Sequence, residues 1–316
     1  MDYSVIIINY NLTNEVRNCV NSLSKFVNEA DFEIILVDNH SEEYSILELV
    51  NEFSSVFKSK LHFIRTEKNI GFGNACNLGA KNSSGDVLFF LNPDTLVDEN
   101  IFQNLKNEFW NNNGNKKPGI IGLNVNGKKW TDYSSGFFPN YLFEILNIFS
   151  LGRYCEAFLI KLKTQLSSTK RINVQWVMGA ALLIRKDLFE MVNGFDPDYF
   201  LYFEEMDLCK RIIKRGLSVI YLSKIKIEHL GSAGSKRNYY FFTKLFYKGK
   251  LLFLKKHHSN SEFFINRILV YLHIRFQMIL WWLLKSEGGD KSNQKIKAFK
   301  EILKNVNHPE RISNSY

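Results

Sequence analysis

Short apolar runs alternate with amphipathic segments of helical length through the first hundred residues of this 316-residue chain. The apolar runs predict strands at 4–9, 32–38, 61–65 and 87–91. The amphipathic segments predict helices at 14–26, 41–57 and 74–82, with Thr13 as the N-cap of the first. Strands that alternate with helices in this way form βαβ units. We therefore predict an α/β fold with a mostly parallel central sheet covered by helices on both faces.

The pattern after residue 111 is less regular. A turn is expected at 111–118, where Asn, Gly and Pro are concentrated. Further helices are predicted at 141–163 and 207–214, and further strands at 174–184 and 218–222. The apolar run at 5–8 is too short for a signal peptide, and polar residues interrupt the apolar stretch at 263–284. We therefore expect neither a signal peptide nor a clean transmembrane segment.

Charge is distributed unevenly along the chain. The 41 Lys and Arg residues exceed the 32 Asp and Glu residues, which gives a formal net charge of +9. Residues 236–316 contain 16 basic and 5 acidic residues, a net charge of +11, so residues 1–235 carry a net charge of −2. This division predicts a near-neutral domain at 1–235 and a basic, aromatic-rich helical region at 236–316. Nucleic acid, a membrane surface or an anionic ligand could each bind such a region.

The cysteines indicate the redox compartment. Cys19, Cys76, Cys155 and Cys209 are far apart in the sequence and form no C-x-x-C pair. This spacing predicts neither a disulfide framework nor a cysteine zinc site. It is typical of a protein in a reducing, cytoplasmic compartment.

Polar residues and glycines follow each of the first four predicted strands. They are Asn9, Tyr10 and Asn11, then Asp38, Asn39 and Ser41, then Asn69, Gly71 and Gly73, and finally Asn92 and Asp94. Since ligands of α/β proteins bind beyond the carboxyl ends of the strands, we expect these residues to line a binding site. The glycines do not have the spacing of the dinucleotide fingerprint and follow the third strand, which argues against a nicotinamide enzyme. A carboxylate such as Asp94 suits Mg²⁺ that also binds substrate phosphates.

Acidic residues and a histidine mark the second half of the predicted site. Aromatic residues surround Glu204 and Glu205, and partial burial of a carboxyl raises its pKa and suits a general base. Asp207 is expected to start a helix. His229 precedes a loop of small residues and then Lys236 and Arg237, which suits phosphate binding by a mobile segment.

Taken in order, these motifs resemble those of the family 2 glycosyltransferases of the GT-A fold, especially the rhamnosyltransferase-like branch of bacterial surface-polysaccharide synthesis. The resembling segments are 5–11, 36–41, 69–79, 85–86, 91–95, 179–180 and 194–211, with His229, Gly231 and Ser232. They lie within residues 4–235, about three quarters of the chain. The resemblance implies that residues 1–235 form a GT-A catalytic domain.

The resemblance also implies roles for individual residues. Asp38 would bind the nucleobase, and Asn9 would line the nucleotide pocket. Asp94 would be the last acid of a D-x-D motif that binds Mg²⁺ or Mn²⁺, with Asn92 in place of the first acid, and His229 would contact the metal or the diphosphate. Glu205 would be the catalytic base, where the family usually has the Asp of a Glu-Asp pair, and Glu204 is the alternative base.

The activity implied by the resemblance is an inverting sugar transfer. The donor would be a nucleoside diphosphate sugar, with L-rhamnose from dTDP-rhamnose favoured, and the acceptor a hydroxyl of a growing, lipid-linked surface polysaccharide. Two alternatives remain open. One is a transferase of the same fold that uses a UDP-hexose such as galactose or GlcNAc, and the other is a non-catalytic subunit that binds nucleotide sugars.

The basic region at 236–316 mixes Lys and Arg with Trp, Phe and Leu, which is the composition of an interfacial helix. We therefore expect peripheral association with an anionic membrane, at the inner face of the cell membrane. The alternative is a set of helices packed on the catalytic domain with a solvated basic face. Nucleic acid is not expected as a partner, because no recognition motif accompanies the basic residues.

Overall fold

The computed structural model describes residues 1–42, 45–109, 118–126, 134–230, 238–283 and 285–307. The chain divides into two compact units. The sheet unit comprises Met1–Phe137, Ile160–Asp196 and Glu205–Gly231, and the helical unit comprises Phe138–Leu159, Pro197–Glu204 and Ser232–Tyr316. The predicted boundary at 235 lies outside the described residues, so the division into 1–235 and 236–316 stays a prediction.

The strands and helices are numbered in chain order. The strands are β1 (Tyr3–Asn9), β2 (Phe32–Asp38), β3 (Leu61–Arg65), β4 (Val87–Leu91), β5 (Thr95–Leu96), β6 (Ile120–Asn126), β7 (Ser135–Gly136), β8 (Arg171–Val174), β9 (Trp176–Val177), β10 (Ala181–Arg185) and β11 (Val219–His229). The helices are α1 (Thr13–Ser24), α2 (Ser45–Phe57), α3 (Phe72–Lys81), α4 (Ile101–Phe109), α5 (Tyr141–Ile148), α6 (Gly152–Leu166), α7 (Lys186–Met191), α8 (Glu204–Lys214), α9 (Tyr239–His257), α10 (Asn260–Leu283) and α11 (Lys285–Asn307).

The described strands of the sheet unit form a nine-stranded sheet in the order β3-β2-β1-β4-β10-β6-β11-β5, with β8 paired to β11. β1 pairs in parallel with β2 and β4, β2 pairs in parallel with β3, and β6 pairs in parallel with β11. β10 runs antiparallel between β4 and β6. The predicted α/β fold with a mostly parallel sheet is therefore confirmed.

Burial explains why the apolar runs of the first half become strands. Every residue of β1, β2 and β4 is buried, as in parallel strands that are covered on both faces. Helix α3 packs so closely on β1 that a Cβ atom at Gly79 would lie 2.6 Å from Cγ2 of Ile6. The absence of a side chain at Gly79 therefore lets α3 lie directly on the sheet, which places its N-terminus at the sheet edge.

The predicted N-cap at Thr13 is wrong. Thr13 is buried and is the first residue of α1, and the N-cap position is occupied by Leu12, whose side chain makes no capping hydrogen bond. The side chain of Asn9 instead accepts a hydrogen bond from the backbone N–H of Leu12 at 3.1 Å. The side chain of Asn9, the last residue of β1, thus stabilises the start of α1 in place of a capping threonine.

Three expectations for the second half also need correction. The predicted helix at 141–163 is two helices, α5 and α6, separated at Ser150, whose φ is 60°. The predicted strand at 174–184 is divided among β8, β9 and β10, which pair with different partners. Strand β6 was not expected, because Gly122 interrupts its apolar run. A Cβ atom there would lie 2.3 Å from Cβ of Val177, so close packing requires the glycine.

The helical unit contains α5, α9, α10 and α11. Helix α11 packs on α9 and α10, and α10 packs on α5. A buried ion pair joins α9 to α5, with Nζ of Lys250 2.6 Å from Oε2 of Glu144. Burial and the nearby Lys250 charge lower the pKa of His273 to about 4. The imidazole is therefore neutral near pH 7, and its Nδ1–H donates to the carbonyl of Asn147.

Among the described residues, one helix is long and apolar enough to cross a membrane by length and composition alone. It is α10, whose apolar 18-residue window has a mean hydropathy of 1.3 and is 17% buried. A core helix of a soluble protein can pass the same test, but such a helix is mostly buried. With 17% of its apolar window buried, α10 is more exposed than a core helix of a soluble protein.

Candidate active site

The carboxyl ends of the parallel strands carry most of the residues predicted to form the site. Asp38, the last residue of β2, is fully buried and lies opposite Asn9, the last residue of β1. Its Oδ1 accepts hydrogen bonds from Nδ2 of Asn9 at 2.8 Å and from Oγ of Ser41 at 2.5 Å. Its Oδ2 lies 3.3 Å from Nη1 of Arg65. The carboxylate is thus held by partners from three segments of the chain.

The loops that follow β1 and β2 are joined through Ser41 and Asn11. The backbone N–H of Asn11 donates to Oγ of Ser41 at 2.9 Å, and Oδ1 of Asn11 accepts from the backbone N–H of Glu42 at 2.8 Å. Asn11 has a φ of 57° and His40 a φ of 69°, a region that residues other than glycine seldom adopt. Strained backbone of this kind clusters at ligand sites.

The loop after β3 is fixed by a pair of amide side chains. Nδ2 of Asn39 donates to Oδ1 of Asn69 at 3.0 Å, and Oδ1 of Asn39 accepts from the N–H of Ile70 at 3.0 Å. Gly71, with a φ of 85°, is the N-cap of α3, so this position requires a glycine. Gly73 lies inside α3 and is buried, whereas Tyr10 is 45% exposed. These two residues are therefore not part of the hydrogen-bonded cluster.

One member of this cluster, Arg65, was missing from the expected strand-end residues, whereas Asn39 and Ser41 were expected at this edge without an assigned role. Arg65 is the last residue of β3, and Asn39 and Ser41 follow β2. Their contacts with Asp38 and Asn69 depend on how neighbouring strands align, which the sequence of one segment does not reveal.

Asp94 and His229 lie side by side. Short strand β5 pairs antiparallel with the end of β11, so that Thr95 aligns with His229. This pairing places Nε2 of His229 3.1 Å from Oδ1 of Asp94. The backbone N–H of Leu230 also donates to the carbonyl of Asp94 at 2.9 Å. Nearby, the carbonyl of Asn92 accepts a hydrogen bond from Oγ1 of Thr95 at 2.6 Å. Two residues predicted to act together, 135 positions apart in the sequence, are thus neighbours.

A carboxylate oxygen beside an imidazole nitrogen fits a divalent cation such as Mg²⁺ or Mn²⁺. Carboxylates suit both ions, and imidazole is a good ligand for transition metals. The described residues include no group of three or more His, Cys, Asp or Glu side chains that could hold a metal ion. Asp94 and His229 could therefore supply only part of a coordination shell, as at sites where substrate phosphates and water complete it.

Glu205 lies in the first turn of α8, half-buried. A Cβ atom built on Gly179 would be 3.6 Å from Cβ of Glu205 and 3.7 Å from the ring of Phe72. Since Phe72 is the first residue of α3 and follows Gly71, Glu205 lies at the same sheet edge as the loop after β3. Glu204 is the first residue of α8 and is 4% exposed. The predicted base therefore belongs to the strand-end cluster by position.

The third acid of the motif has a structural role. Oδ2 of Asp207 lies 2.7 Å from Nε of Arg211, one helical turn later in α8, and Asp207 is buried. The same guanidinium donates to the carbonyls of Val192 at 2.6 Å and Gly194 at 2.8 Å. The expectation that Asp207 starts the helix is wrong, because α8 begins three residues earlier. Asp207 instead orients the arginine that fastens α8 to the 192–194 turn.

The buried thiols next to the site are chemically inert. Burial raises the pKa of Cys19, which lies beside Thr95, to about 12. Burial likewise raises the pKa of Cys209 in α8 to about 12, and the nearby carboxylates of Glu205 and Asp207 add to the rise. Because the thiolate is the nucleophile and the metal ligand, neither cysteine can serve in these roles near neutral pH. The chemistry of this edge therefore depends on carboxylates, amides and imidazole.

Comparison with solved structures supports the fold. The structure is similar to that of GalNAc-T7 with UDP, GalNAc and Mn²⁺, with a TM-score of 0.59 and 15% sequence identity. The superposition covers 97% of this chain and 56% of that one. At this level of identity the similarity shows the fold alone, and the predicted GT-A fold is confirmed.

Comparison of sequences identifies the family. The chain is 27% identical to the rhamnosyltransferase WbbL of Escherichia coli strain K12 over 184 residues, which is 56% of this chain and 66% of that one. It is 33% identical to the N-acetylglucosaminyl-diphospho-decaprenol L-rhamnosyltransferase of Mycobacterium tuberculosis over 86 residues. That match spans 27% of this chain and 28% of the mycobacterial enzyme. The profile of glycosyl transferase family 2 matches residues 4–190, more than half of the chain, and the protein therefore belongs to this family of glycosyltransferases.

Proposed function

We propose that the protein is an inverting, metal-dependent glycosyltransferase. It transfers L-rhamnose from dTDP-rhamnose to a hydroxyl of a growing, lipid-linked surface polysaccharide. The observation that carries the proposal is the placement of an acid–imidazole pair and a half-buried glutamate at the carboxyl edge of one parallel sheet. The names of the two rhamnosyltransferases that share sequence with this chain support the choice of sugar.

The nucleotide binds over the ends of β1 and β2. Asp38 is fully buried and already accepts hydrogen bonds from Asn9 and Ser41. It therefore acts mainly by holding the loops of Asn11 and Ser41 in the shape that receives the nucleobase. Asn9 has the same role, since its amide links Asp38 to the start of α1. The N-terminus of α3, with Asn69 and Gly71 before it, faces the donor with backbone N–H groups that favour negative charge.

A direct test of this assignment is Asp38→Asn. Oδ1 of Asp38 accepts from Asn9, and Oδ2 faces the N–H of Ser41 and the guanidinium of Arg65. Whichever way an asparagine amide is turned, its NH₂ group would therefore face another hydrogen-bond donor. We expect about tenfold weaker binding of dTDP or UDP by calorimetry and a lower Tm. Asp31→Asn is the matched control, because Asp31 is about half exposed at the far end of the sheet. Nucleotide affinity and Tm both equal to those of the unmodified protein would contradict the assignment.

The chemistry follows from the positions of Glu205, Asp94 and His229. Glu205 accepts the proton of the acceptor hydroxyl while that oxygen attacks the anomeric carbon from the side opposite the diphosphate, which inverts the configuration. Asp94 and His229 would hold Mg²⁺ or Mn²⁺, which when bound offsets the negative charge of the leaving diphosphate. Glu204, one residue away and buried, is the alternative base.

The acceptor and the place of action rest on the relatives. The name of the mycobacterial enzyme describes an acceptor in which a sugar diphosphate is attached to a polyprenol. We extend a lipid-linked acceptor to this chain, and with it peripheral association at the inner face of the cell membrane. Residues 231–237 contain Gly231, Ser232, Lys236 and Arg237, which were expected to bind phosphate. They lie outside the described residues, so that expectation stays a prediction.

A donor panel with a metal titration tests the proposal. The full chain is incubated with a polyprenyl-diphospho-GlcNAc acceptor and with dTDP-rhamnose, UDP-GlcNAc, UDP-galactose or GDP-mannose, with and without Mg²⁺ or Mn²⁺, and release of the nucleoside diphosphate is measured. We expect metal-dependent turnover of dTDP-rhamnose at least tenfold above that of the others. Preferential turnover of a UDP-sugar would favour the second candidate, a transferase that uses a UDP-hexose. Binding of a donor without turnover would indicate a non-catalytic subunit.

A further inference from the structure

Three of the polar residues that interrupt α10 in sequence, Asn266, His273 and Gln277, point toward the protein. Asn266 is 1% exposed, and its amide donates to the carbonyl of Glu262. His273 bonds to the carbonyl of Asn147, and Nε2 of Gln277 donates to Oγ of Ser150 at 2.8 Å. These three residues, which make the helix look unsuited to lipid when it is read as a sequence, thus make hydrogen bonds within the helical unit. The outward face of α10 is therefore more apolar than the helix as a whole.

The exposed apolar residues of α10 form one stripe. They recur at intervals of three or four, which is the spacing of a single helical face. Their exposure ranges from 38% at Phe276 to 67% at Trp282. The stripe consists of Phe264, Ile265, Ile268, Leu272, Phe276, Ile279, Trp282 and Leu283. It extends over the whole helix, whereas isolated exposed apolar residues are normal on a protein surface.

Helix α5 extends the stripe into a broader surface. The ring centroids of Phe149 and Phe276 are 6.2 Å apart, and Ser150 contacts Gln277. Together with the contact between Asn147 and His273, these pairs join the end of α5 and the residues after it to the middle of α10. On α5 and directly after it, Leu142, Ile145 and Phe149 are between 43% and 60% exposed. We call these three residues and the α10 stripe the α5–α10 face.

Basic side chains border the α5–α10 face. The guanidinium of Arg267 lies 5.4 Å from the ring centroid of Phe264, and Arg275 is exposed within the stripe. At the other end of α10, Trp282 is 67% exposed. Tryptophan and long basic side chains at the margin of an apolar surface favour the headgroup level of a bilayer.

We propose that the α5–α10 face docks on an anionic phospholipid bilayer, with α10 lying in the plane of the membrane. This inference rests on the proposed transfer to a lipid-linked acceptor. Charge favours lipid over a second copy of the chain, because residues 236–316 carry a net charge of +11 and two such faces repel each other. A spanning orientation would bring Asn266, His273 and Gln277 out of their contacts in the helical unit, so a surface position is favoured.

The structure changes which residues form the expected membrane contact. The apolar run Leu251–Leu254 in α9, which by composition belongs to the basic region, is buried and unavailable to lipid. Helix α5, which lies outside that region in sequence, supplies part of the face. The docking surface is therefore assembled from two distant segments of the chain.

Flotation of the full chain with vesicles of phosphatidylglycerol and phosphatidylcholine, and with phosphatidylcholine alone, tests the proposal. We expect the chain to float with the anionic vesicles, and a double variant, Leu272→Ser with Ile279→Ser, to lower the partition coefficient about tenfold to hundredfold. Leu47→Ser with Val56→Ser is the matched control, because these residues of α2 have similar exposure away from the face. Circular dichroism and Tm verify that each variant folds.

Charge and orientation are tested in the same assay. Arg267→Gln with Arg275→Gln is expected to weaken binding to anionic vesicles about tenfold, while Lys25→Gln with Lys81→Gln leaves it nearly unchanged.

Release of the chain from cell membranes by alkaline carbonate supports a surface position, and resistance to carbonate would overturn it in favour of a span. Equal flotation of the Leu272 and Ile279 double variant and the control variant would also overturn the proposal. The proposal would also be overturned if the unmodified chain formed a dimer and the Leu272 and Ile279 double variant did not. Because flotation needs no substrate, it remains interpretable if the donor panel fails.

Discussion

Replacement of Glu205 with Gln is expected to abolish sugar transfer while leaving donor binding intact. The amide keeps the size and shape of the side chain, so packing beside Gly179 and Phe72 is maintained. It has no basic oxygen that can take the acceptor proton, and loss of a general base typically costs 10²- to 10⁴-fold in rate. We expect kcat to fall at least about 100-fold, with the affinity for nucleoside diphosphate by calorimetry unchanged.

Three further variants make this result specific to Glu205. Glu190→Gln removes an exposed carboxylate of α7 and should leave turnover unaltered. Glu205→Asp places the carboxylate that the family usually has at this position, and we expect it to retain most of the activity, because a backbone shift of about one bond length compensates. If Glu204→Gln abolished transfer while Glu205→Gln did not, the base would be Glu204.

Local patterns were enough to predict the first half of the fold. β2, β3 and β4 have the predicted bounds. β2 and β4 are buried apolar runs, and β3 is a half-buried edge strand that the same local pattern identifies. The second half could not be predicted to the same degree. Gly122 is required by contact with Val177, a residue 55 positions away, and the run at 174–184 is divided among strands with different partners. Such features depend on tertiary contacts that no local window contains.

The candidate site shows the same limit at the level of side chains. The sequence indicated Asp38 and Asn9 as strand-end residues, and the parallel register of β1 and β2 makes them neighbours. It did not indicate that Asp38 is wholly buried, or that Ser41 and Arg65 hold its carboxylate. A role as a loop anchor therefore became visible only when the partners of each oxygen were known. The proximity of Asp94 and His229 likewise depends on the antiparallel pairing of β5 and β11.

We expect Asp94 to be the residue that makes donor binding depend on a metal ion. If Asn92 replaces one acid of a two-acid motif, the remaining carboxylate and its imidazole neighbour are the protein groups that we propose to bind the cation. Loss of a residue that merely orients a metal ligand typically costs 10- to 100-fold in metal affinity or activity. Loss of the ligand itself should cost at least as much. His229 should matter less in Mg²⁺ than in Mn²⁺, because imidazole suits the transition metal better than the alkaline-earth ion.

Asp94→Ala is therefore expected to remove the metal dependence of donor binding. Titration calorimetry with dTDP, with and without Mn²⁺, measures the factor by which the metal raises affinity. We expect a factor of tenfold or more in the unmodified protein and a factor near one in the variant, with metal-free affinity similar in both. His229→Ala should reduce the factor partly. Asp98→Ala, which removes an exposed carboxylate four residues away, is the matched control and should leave the factor intact. A full metal effect in a folded Asp94→Ala protein would show that the cation is held elsewhere, and the acid–imidazole pair would then be a structural contact between β5 and β11.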